Sequence, residues 1–312
     1  MNRVLAHTGA RVPIVQAPMG WIARSQLASA VCNAGGLGII ETSSGETANC
    51  QAEIVKMRDL TAAPFGVNLP ILFLRDDAML RFICESGVRF VTTSAGSPAK
   101  FVGPLKVAGI TVYHAVPTVE AAVKSVAAGV DGLVVEGAEG GGFKNPEEVS
   151  TLVLLQAVRR AVDVPLIAAG GIADGRGMAA AFALGAEAVQ MGTRFVSATE
   201  SPVHANYKAA IVDAATTGTV VLNKAASPCI RALKTARTAE IAATGLMPPD
   251  TFARILDLYF GGDMEAAVGL AGQTAGLIDA VKPVKAIIDD TVAEFFAETA
   301  RLGMLASAGT FG

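Results

Sequence analysis

The amino-acid sequence predicts an α/β protein: a (β/α)₈ barrel of the TIM type with a smaller helical capping domain inserted late in the chain. Short apolar runs of strand length alternate with amphipathic stretches, and eight such repeats close a parallel barrel. Hydrophobic residues make up 52% of the chain and charged residues 17%, as expected for strands buried on both faces. An open dinucleotide-binding sheet is the competing arrangement, but no Gly-x-Gly-x-x-Gly motif follows the first run.

The candidate strands and helices follow one another in a regular order. The eight apolar runs that predict strands occupy residues 13–16, 37–41, 65–69, 90–93, 111–115, 132–136, 165–168 and 188–191. The clearest amphipathic stretches between them occupy residues 25–34, 76–86 and 118–128. A further helix is predicted over residues 174–185, where Gly185 is typical of a helix end.

The pattern changes after Phe195, where the strand and helix alternation stops. Helical stretches without a convincing strand then occupy residues 204–214, 231–244, 249–258 and 264–269. We therefore expect residues 1–200 to form the barrel and residues 201–288 to form a helical cap that contributes to substrate binding. Apolar residues at helical spacing within 289–312 predict a helix that completes the barrel wall.

Composition excludes several classes of partner. The formal net charge is -3 and no basic run occurs, so nucleic acid is not expected. No apolar stretch reaches the roughly 18 residues of a spanning helix, and the first residues are too polar for a signal peptide. Four separated cysteines without a Cys-x-x-Cys pair predict free thiols in a reducing cytoplasm and no metal site. The apolar barrel exterior is compatible with a homodimer.

Two glycine-bearing segments predict a phosphate site. Ala169-Gly170-Gly171-Ile172 follows the seventh run, and Gln190-Met191-Gly192-Thr193-Arg194 follows the eighth. Phosphate groups in (β/α)₈ barrels commonly sit in the loops after strands seven and eight. Glycine allows close backbone approach and positive φ, and the Thr193 hydroxyl adds a donor. The alternative is a pair of tight turns that bind no ligand.

Five motifs occur in a fixed order along the barrel. They are Gln16-Ala17-Pro18-Met19, Asn33-Ala34-Gly35-Gly36-Leu37-Gly38, Phe65-Gly66-Val67-Asn68, Ala168-Ala169-Gly170-Gly171-Ile172-Ala173 and Met191-Gly192-Thr193-Arg194-Phe195. Together they resemble the nitronate monooxygenases, formerly called 2-nitropropane dioxygenases. The same superfamily contains a flavin-dependent enoyl-acyl-carrier-protein reductase and NAD(P)H:quinone reductases.

The resemblance implies an FMN-binding flavoprotein and assigns residues to its site. The positions implied for cofactor binding are Ala17, Pro18, Met19, Asn68, Ala169, Gly170, Gly171, Gln190, Met191, Gly192 and Thr193. The positions expected to line the substrate pocket are Trp21, Gly142, Phe143 and Gln273. For Trp21, simple packing is the alternative.

The chain departs from the family pattern after the sixth strand. The family usually has Glu-Ala-Gly-Gly-His there, with the histidine near the flavin N5, whereas this chain reads Glu139-Gly140-Gly141-Gly142-Phe143-Lys144. A phenylalanine cannot take a proton, so the base must be another group or the substrate must arrive deprotonated, as a nitronate does. His114 and Lys144 are the predicted catalytic candidates. Their alternatives are a structurally satisfied histidine and an exposed loop lysine.

Three functions remain open at this point. The leading one is FMN-dependent oxidation of a small nitronate, or a similar carbon acid, with oxygen as acceptor. The second is reduction or dehydrogenation of an unsaturated acyl thioester or a quinone, with NADH or NADPH as co-substrate. The third is a flavin-free barrel enzyme that holds the phosphate of its own substrate.

Overall fold

The computed structural model describes residues 1–307 and contains a closed parallel barrel. Its eight strands are β1 (Ile14–Gln16), β2 (Ile39–Ile40), β3 (Gly66–Pro70), β4 (Phe90–Ser94), β5 (Thr111–Val116), β6 (Gly132–Glu136), β8 (Leu166–Ala169) and β9 (Ala188–Met191). A second sheet is formed by β7 (Gly142–Lys144), β10 (Thr219–Leu222) and β11 (Cys229–Leu233). Residues 308–312, at the end of the predicted segment 289–312, lie outside the described part of the chain.

Helices surround the barrel and build the cap. They are α1 (Arg3–Thr8), α2 (Ser25–Asn33), α3 (Thr47–Leu60), α4 (Ala78–Glu85), α5 (Ala99–Val107), α6 (Val119–Ala127), α7 (Thr151–Ala161), α8 (Gly175–Ala183), α9 (Thr193–Val196), α10 (Ala205–Val212), α11 (Ala236–Thr244), α12 (Ile255–Tyr259) and α13 (Val284–Ser307). Two short 3₁₀ helices cover Ile71–Phe73 and Gln273–Leu277. Among residues 1–307, no helix is long and apolar enough to cross a membrane.

The barrel closes at a seam between its first two strands. The strand order is β1-β9-β8-β6-β5-β4-β3-β2, and one parallel bridge joins Val15 to Leu37 across the gap. The buried Gln16 amide extends this pairing, because its Nε2 donates to the Ile39 carbonyl at 3.1 Å and its Oε1 accepts from the Ile39 N–H at 3.3 Å. The side chain therefore acts as one more peptide group in the ladder.

Alternation along the strands separates an inner from an outer core. Side chains such as Val15, Ile39, Tyr113 and Val134 form one buried cluster inside the barrel. Their neighbours in sequence, such as Val112, pack outside against the helices. This period of two fixes which strand residues face the barrel interior.

The prediction of a (β/α)₈ barrel is confirmed, and every predicted barrel strand overlaps an observed one. The expectation that residues 201–288 contain no strand is wrong, because β10 and β11 pair there as an antiparallel hairpin that also pairs with β7. Residues 231–233 belong to this hairpin, and residues 264–269 form no helix. Strand β10 reads Thr-Val-Val-Leu, and β-branched residues such as these suit a pleated surface. The proposed domain boundaries stay predictions.

The C-terminal helix packs against the barrel wall, as predicted. Helix α13 lies against α8 at Gly175, where an added Cβ would lie 2.7 Å from the Glu294 carbonyl carbon. The Gly175 N–H donates to Glu294 Oε2 at 2.9 Å. Glycine therefore permits a close backbone approach between the two helices.

Candidate active site

Glycine-bearing segments meet at the carboxyl end of the barrel, where active sites of this architecture lie. We call them the mouth loops: residues 17–21 after β1, 137–141 after β6, 170–171 after β8 and 192–193 after β9, together with residues 271–273 of the cap. Each segment contacts at least one other through a glycine. The sequence therefore brings distant motifs into one site.

One side of the mouth joins the first and last strands of the barrel. A Cβ added at Gly192 would lie 3.6 Å from Ala17 Cβ and 3.9 Å from Met19 Sδ. The Ala17 N–H donates to the Met191 carbonyl at 2.9 Å. Thr193 Oγ1 then accepts the Gly272 N–H at 2.9 Å. These contacts link the predicted cofactor residues of both strands to the cap.

The other side is held by contacts between backbones. A Cβ at Gly141 would lie 2.6 Å from the Ala271 carbonyl carbon, and a Cβ at Gly272 would lie 2.7 Å from the Glu139 oxygen. A Cβ at Gly170 would lie 3.0 Å from the Gly140 nitrogen. Only glycine avoids these overlaps without moving a loop. The loop 137–141 is thereby fixed between the cap and the loop after β8.

The mouth offers hydrogen-bond groups that the protein itself does not use. Gly170 and Gly171 have φ values of 84° and 75°. Outside the strand ladders, and within residues 1–307, the N–H groups of Gly171 and Gly192 make no backbone hydrogen bond. The buried Gln190 Oε1 also has no partner in that part of the chain. Successive backbone N–H groups with positive φ form an anion-binding concavity. A buried acceptor without a partner is costly unless a ligand supplies a donor.

These features fit FMN. Its phosphate would bind to the N–H groups at Gly171 and Gly192, and a donor of the cofactor would satisfy Gln190 Oε1, which belongs to the interior-facing register of β9 beside Ala169. Asn68 faces the interior on β3 and is 3% exposed. Its Oδ1 accepts from Thr92 Oγ1 at 2.9 Å and its Nδ2 donates to Ser94 Oγ at 3.2 Å. That network fixes the orientation of the amide.

Some predicted cofactor residues contribute backbone only. Met191 is fully buried and belongs to the outer core, so its side chain does not reach the mouth, although its carbonyl binds Ala17. Ala169 belongs to the inner core below Gly170. Pro18 lies half-buried between Ala17 and Met19. Their roles toward a cofactor stay predictions.

His114 does not face the barrel interior. It alternates with Tyr113 and Ala115, which belong to the inner cluster, so its ring lies on the outer face of β5. There its Nδ1 lies 2.7 Å from Thr93 Oγ1, and the side chain is buried. Burial lowers the pKa of His114 to about 4, so the ring is neutral at pH 7. This placement argues against the prediction that His114 is the catalytic base.

Lys144 is not an exposed loop lysine. Its side chain is 3% exposed, and its Nζ forms an ion pair with Glu136 Oε1 at the end of β6. A Cβ at Gly140 would overlap this pair, so the glycine at that position makes room for it. Lys144 thus reaches the mouth already paired with a carboxylate.

The residues predicted to line the substrate pocket occupy the outer rim. Phe143 is 47% exposed and its ring centroid lies 5.5 Å from that of Phe73. Gly142 has a φ of 82°, and Gln273 is exposed while its N–H donates to the Glu139 carbonyl at 2.9 Å. Trp21 is half-buried with a φ of 62°, which is rare for a bulky residue and often marks a functional site. Substrate binding by these residues stays a prediction.

Sequence reasoning missed Glu136, Gly140, Gly272 and Phe73. The alternation of side chains along β6 could have indicated that Glu136 faces the barrel interior, because Glu136 shares a face of the strand with Val134. Nothing in the local sequence indicated that Gly140 and Gly272 touch across 132 positions of chain.

The nitronate monooxygenase family model matches residues 2–82 and 73–294. The chain belongs to this family. It is therefore an enzyme of a flavin-dependent oxidoreductase family.

The chain is similar to proteins named as oxidoreductases and to solved structures. It is 32% identical to a nitronate monooxygenase of Pseudomonas aeruginosa, over 86% of this chain and 92% of that protein. It is 38% identical to a (3aS,4S,5R,7aS)-5-hydroxy-7a-methyl-1-oxo-octahydro-1H-indene-4-carboxyl-CoA dehydrogenase of Rhodococcus jostii, over 62% of this chain but only 55% of that relative's length. The structure of FabK from Thermotoga maritima superposes with a TM-score of 0.93 at 40% identity, over 97% and 98% of the two chains.

Proposed function

We propose that this chain binds FMN and oxidises a small nitronate, or a similar carbon acid, with oxygen as the acceptor. The observation that carries the proposal is the mouth itself: unpartnered N–H groups on the loops after β8 and β9, and the unpartnered Gln190 Oε1 nearby. The nitronate monooxygenase of Pseudomonas aeruginosa, which the chain matches over most of its length, supports the choice of substrate.

The protein groups have separate roles in this proposal. The N–H groups of Gly171 and Gly192, with the Thr193 hydroxyl, hold the cofactor phosphate, and Asn68 orients the polar edge of the ring. Bound FMN would supply the two-electron chemistry, while the protein supplies binding and orientation. Phe143 and Phe73 exclude water from the rim. A nitronate needs no base, so the phenylalanine at position 143 does not prevent its oxidation.

A second candidate is redox chemistry on an acyl thioester with NADH or NADPH. The aromatic pair Phe73 and Phe143, beside the exposed Leu72, forms an apolar rim that suits an acyl chain. The dehydrogenase of Rhodococcus jostii is named for a coenzyme A thioester, which favours this alternative.

Anaerobic reduction of the bound flavin separates the two candidates. The purified protein is reconstituted with FMN, and propyl nitronate, NADH and NADPH are added in separate oxygen-free cells while the visible spectrum is recorded. We expect nitronate to bleach the flavin bands rapidly. Rapid bleaching by a nicotinamide, with none by nitronate, would instead establish the reductase. A protein that takes up no FMN would contradict both.

A further inference from the structure

Glu136 is the carboxylate that the barrel presents at its mouth. It ends β6 on the inner face, two residues after Val134, and lies in register with Ala169, which precedes Gly170. Its side chain is 31% exposed. One oxygen, Oε1, pairs with Lys144, and within residues 1–307 the other oxygen, Oε2, has no partner. An unpaired carboxylate oxygen is a free proton acceptor.

Two other acidic groups at the carboxyl ends of barrel strands, Glu41 after β2 and Glu139 after β6, are already engaged. Glu41 is completely buried, its Oε1 lies 2.9 Å from Arg24 Nη2, and its Oε2 accepts the Ser43 N–H at 2.6 Å. Both oxygens of Glu139 accept the Thr151 N–H, at 3.1 and 2.9 Å. A carboxylate whose lone pairs are occupied in this way is a poor acceptor for a substrate proton. His114 lies on the outer face of β5 and does not face the barrel interior.

Lys144 gives Glu136 a fixed place. The lysine reaches across from β7, the strand that carries Phe143, and its buried ammonium compensates the carboxylate charge. Register pairs Lys144 with Cys229 on β11, so the lysine is anchored in the small sheet. Glu136 is therefore a carboxylate in a fixed position, with one oxygen paired to Lys144 and the other oxygen free.

We propose that Glu136 is the proton acceptor for neutral carbon acids in this enzyme, in place of the histidine that its family usually carries, and that Lys144 is its positioning residue. The inference rests on the proposed function and extends its substrates to nitroalkanes. The Cα–H bond of the nitroalkane breaks, its electron pair moves into the nitro group to give the nitronate, and the proton binds Glu136 Oε2. The carboxylic acid then returns the proton to water.

Two forms of one substrate test the role of Glu136. Oxidation of nitroethane and of preformed ethyl nitronate is measured with FMN-loaded Glu136→Gln and wild type. Because general-base catalysis contributes about 100-fold or more, kcat/KM for nitroethane should fall by about that factor. The value for the nitronate, which has no proton to lose, should stay close to that of wild type. The matched control is Glu120→Gln, which breaks an exposed pair with Lys124 (2.6 Å) and should change neither substrate.

Variants of Lys144 test whether this lysine positions Glu136. Lys144→Met should lower nitroethane oxidation while sparing the nitronate, since Glu136 loses its fixed place. Lys144→Arg, which keeps a positive charge, should restore part of the loss. Equal losses for both substrates in both lysine variants would contradict the positioning role, because they would indicate a general structural defect.

Deuterium exchange separates this inference from the proposed function. Exchange of the nitroethane α-hydrogens in D₂O is followed by NMR with enzyme whose flavin is already reduced, so no net oxidation is required. Faster exchange with wild type than with Glu136→Gln would support the inference even if nitronate oxidation failed. Equal exchange rates, or an equal fall of both kcat/KM values in Glu136→Gln, would overturn it.

Discussion

Single residues at the mouth carry chemistry that their neighbours in sequence do not. Val134, Val135 and Glu136 follow one another on β6, yet only the first and third face the interior. The same alternation places Gln190 inside and Met191 outside. A motif can therefore locate a loop correctly while the direction of each side chain depends on the pleat of the strand.

The unpartnered Gln190 gives a prediction with two readouts. Gln190→Leu removes a buried acceptor that only a ligand satisfies, so FMN affinity should fall about tenfold, as one lost hydrogen bond implies. The stability of the FMN-free protein should not fall, because a buried amide without a full set of partners is replaced by an apolar group of similar size. Flavin fluorescence titration and urea unfolding measure the two effects. Loss of stability with unchanged FMN affinity would contradict the assigned role.

The lowered pKa of the buried His114 makes the stability of the protein depend on pH. Its pKa is lowered from 6.5 to about 4 in the folded protein, so the unfolded chain binds a proton that the folded chain does not as pH falls through this window. Stability therefore decreases as pH falls through 6.5, by roughly 2.5 kcal/mol at pH 4.5. His114→Gln should lose this component, so the difference in unfolding free energy between pH 7 and pH 4.5 should shrink relative to wild type. If the difference between the two pH values were the same in His114→Gln as in wild type, the His114 ring would be protonated in the folded protein at pH 4.5.

The strands of the barrel could be predicted from the sequence, whereas the small sheet of β7, β10 and β11 could not. Each barrel strand coincides with an apolar run in the sequence, because the strand is buried on both faces. Strand β7 has only three residues, and its partner β11 lies about 90 positions later in the chain. Its extended form depends on that distant pairing, which local propensity cannot indicate. The same pairing carries Phe143 to the rim and turns Lys144 toward Glu136.

The packing of α13 on α8 predicts opposite effects on stability for alanine substitutions at Gly175 and Gly303. Gly175→Ala places a Cβ 2.7 Å from the Glu294 carbonyl carbon, so the variant should lose about 1 to 3 kcal/mol of stability. Gly303→Ala is the control on α13 itself: nothing lies within 4 Å of its added Cβ, and it should gain about 0.5 to 1 kcal/mol. Thermal unfolding distinguishes them, and a stable Gly175→Ala protein would contradict the close approach of these helices.

On the scale of the whole molecule, the fold gathers residues from both ends of the chain into one mouth. Residues 17–21, 137–141, 170–171, 192–193 and 271–273 meet only when the barrel closes and the cap returns over it. The order of five motifs was enough to indicate the family and to point to the loops after β1, β8 and β9. The roles predicted for the residues of these loops stay predictions. The proton acceptor was not predictable, because the resemblance directed attention to a histidine that this chain lacks, and Glu136 acquires its role only when β7 brings Lys144 to it.

A ligand that binds only the folded state should stabilise this assembly. With FMN at a hundred times its dissociation constant, the unfolding free energy should rise by about 2.7 kcal/mol. Because the cap contacts the loop of Thr193, we expect cap and barrel to gain protection from hydrogen exchange together. Protection confined to the cap would contradict a phosphate site on the barrel loops.

The proposed cofactor site predicts that the FMN-free protein binds FMN. Titration followed by quenching of flavin fluorescence should show one FMN per chain, with affinity lowered in Gln190→Leu and unchanged in Gly303→Ala. Failure of the wild-type protein to bind FMN, with inorganic phosphate or a sugar phosphate bound at the same loops instead, would contradict it and identify a flavin-free barrel enzyme.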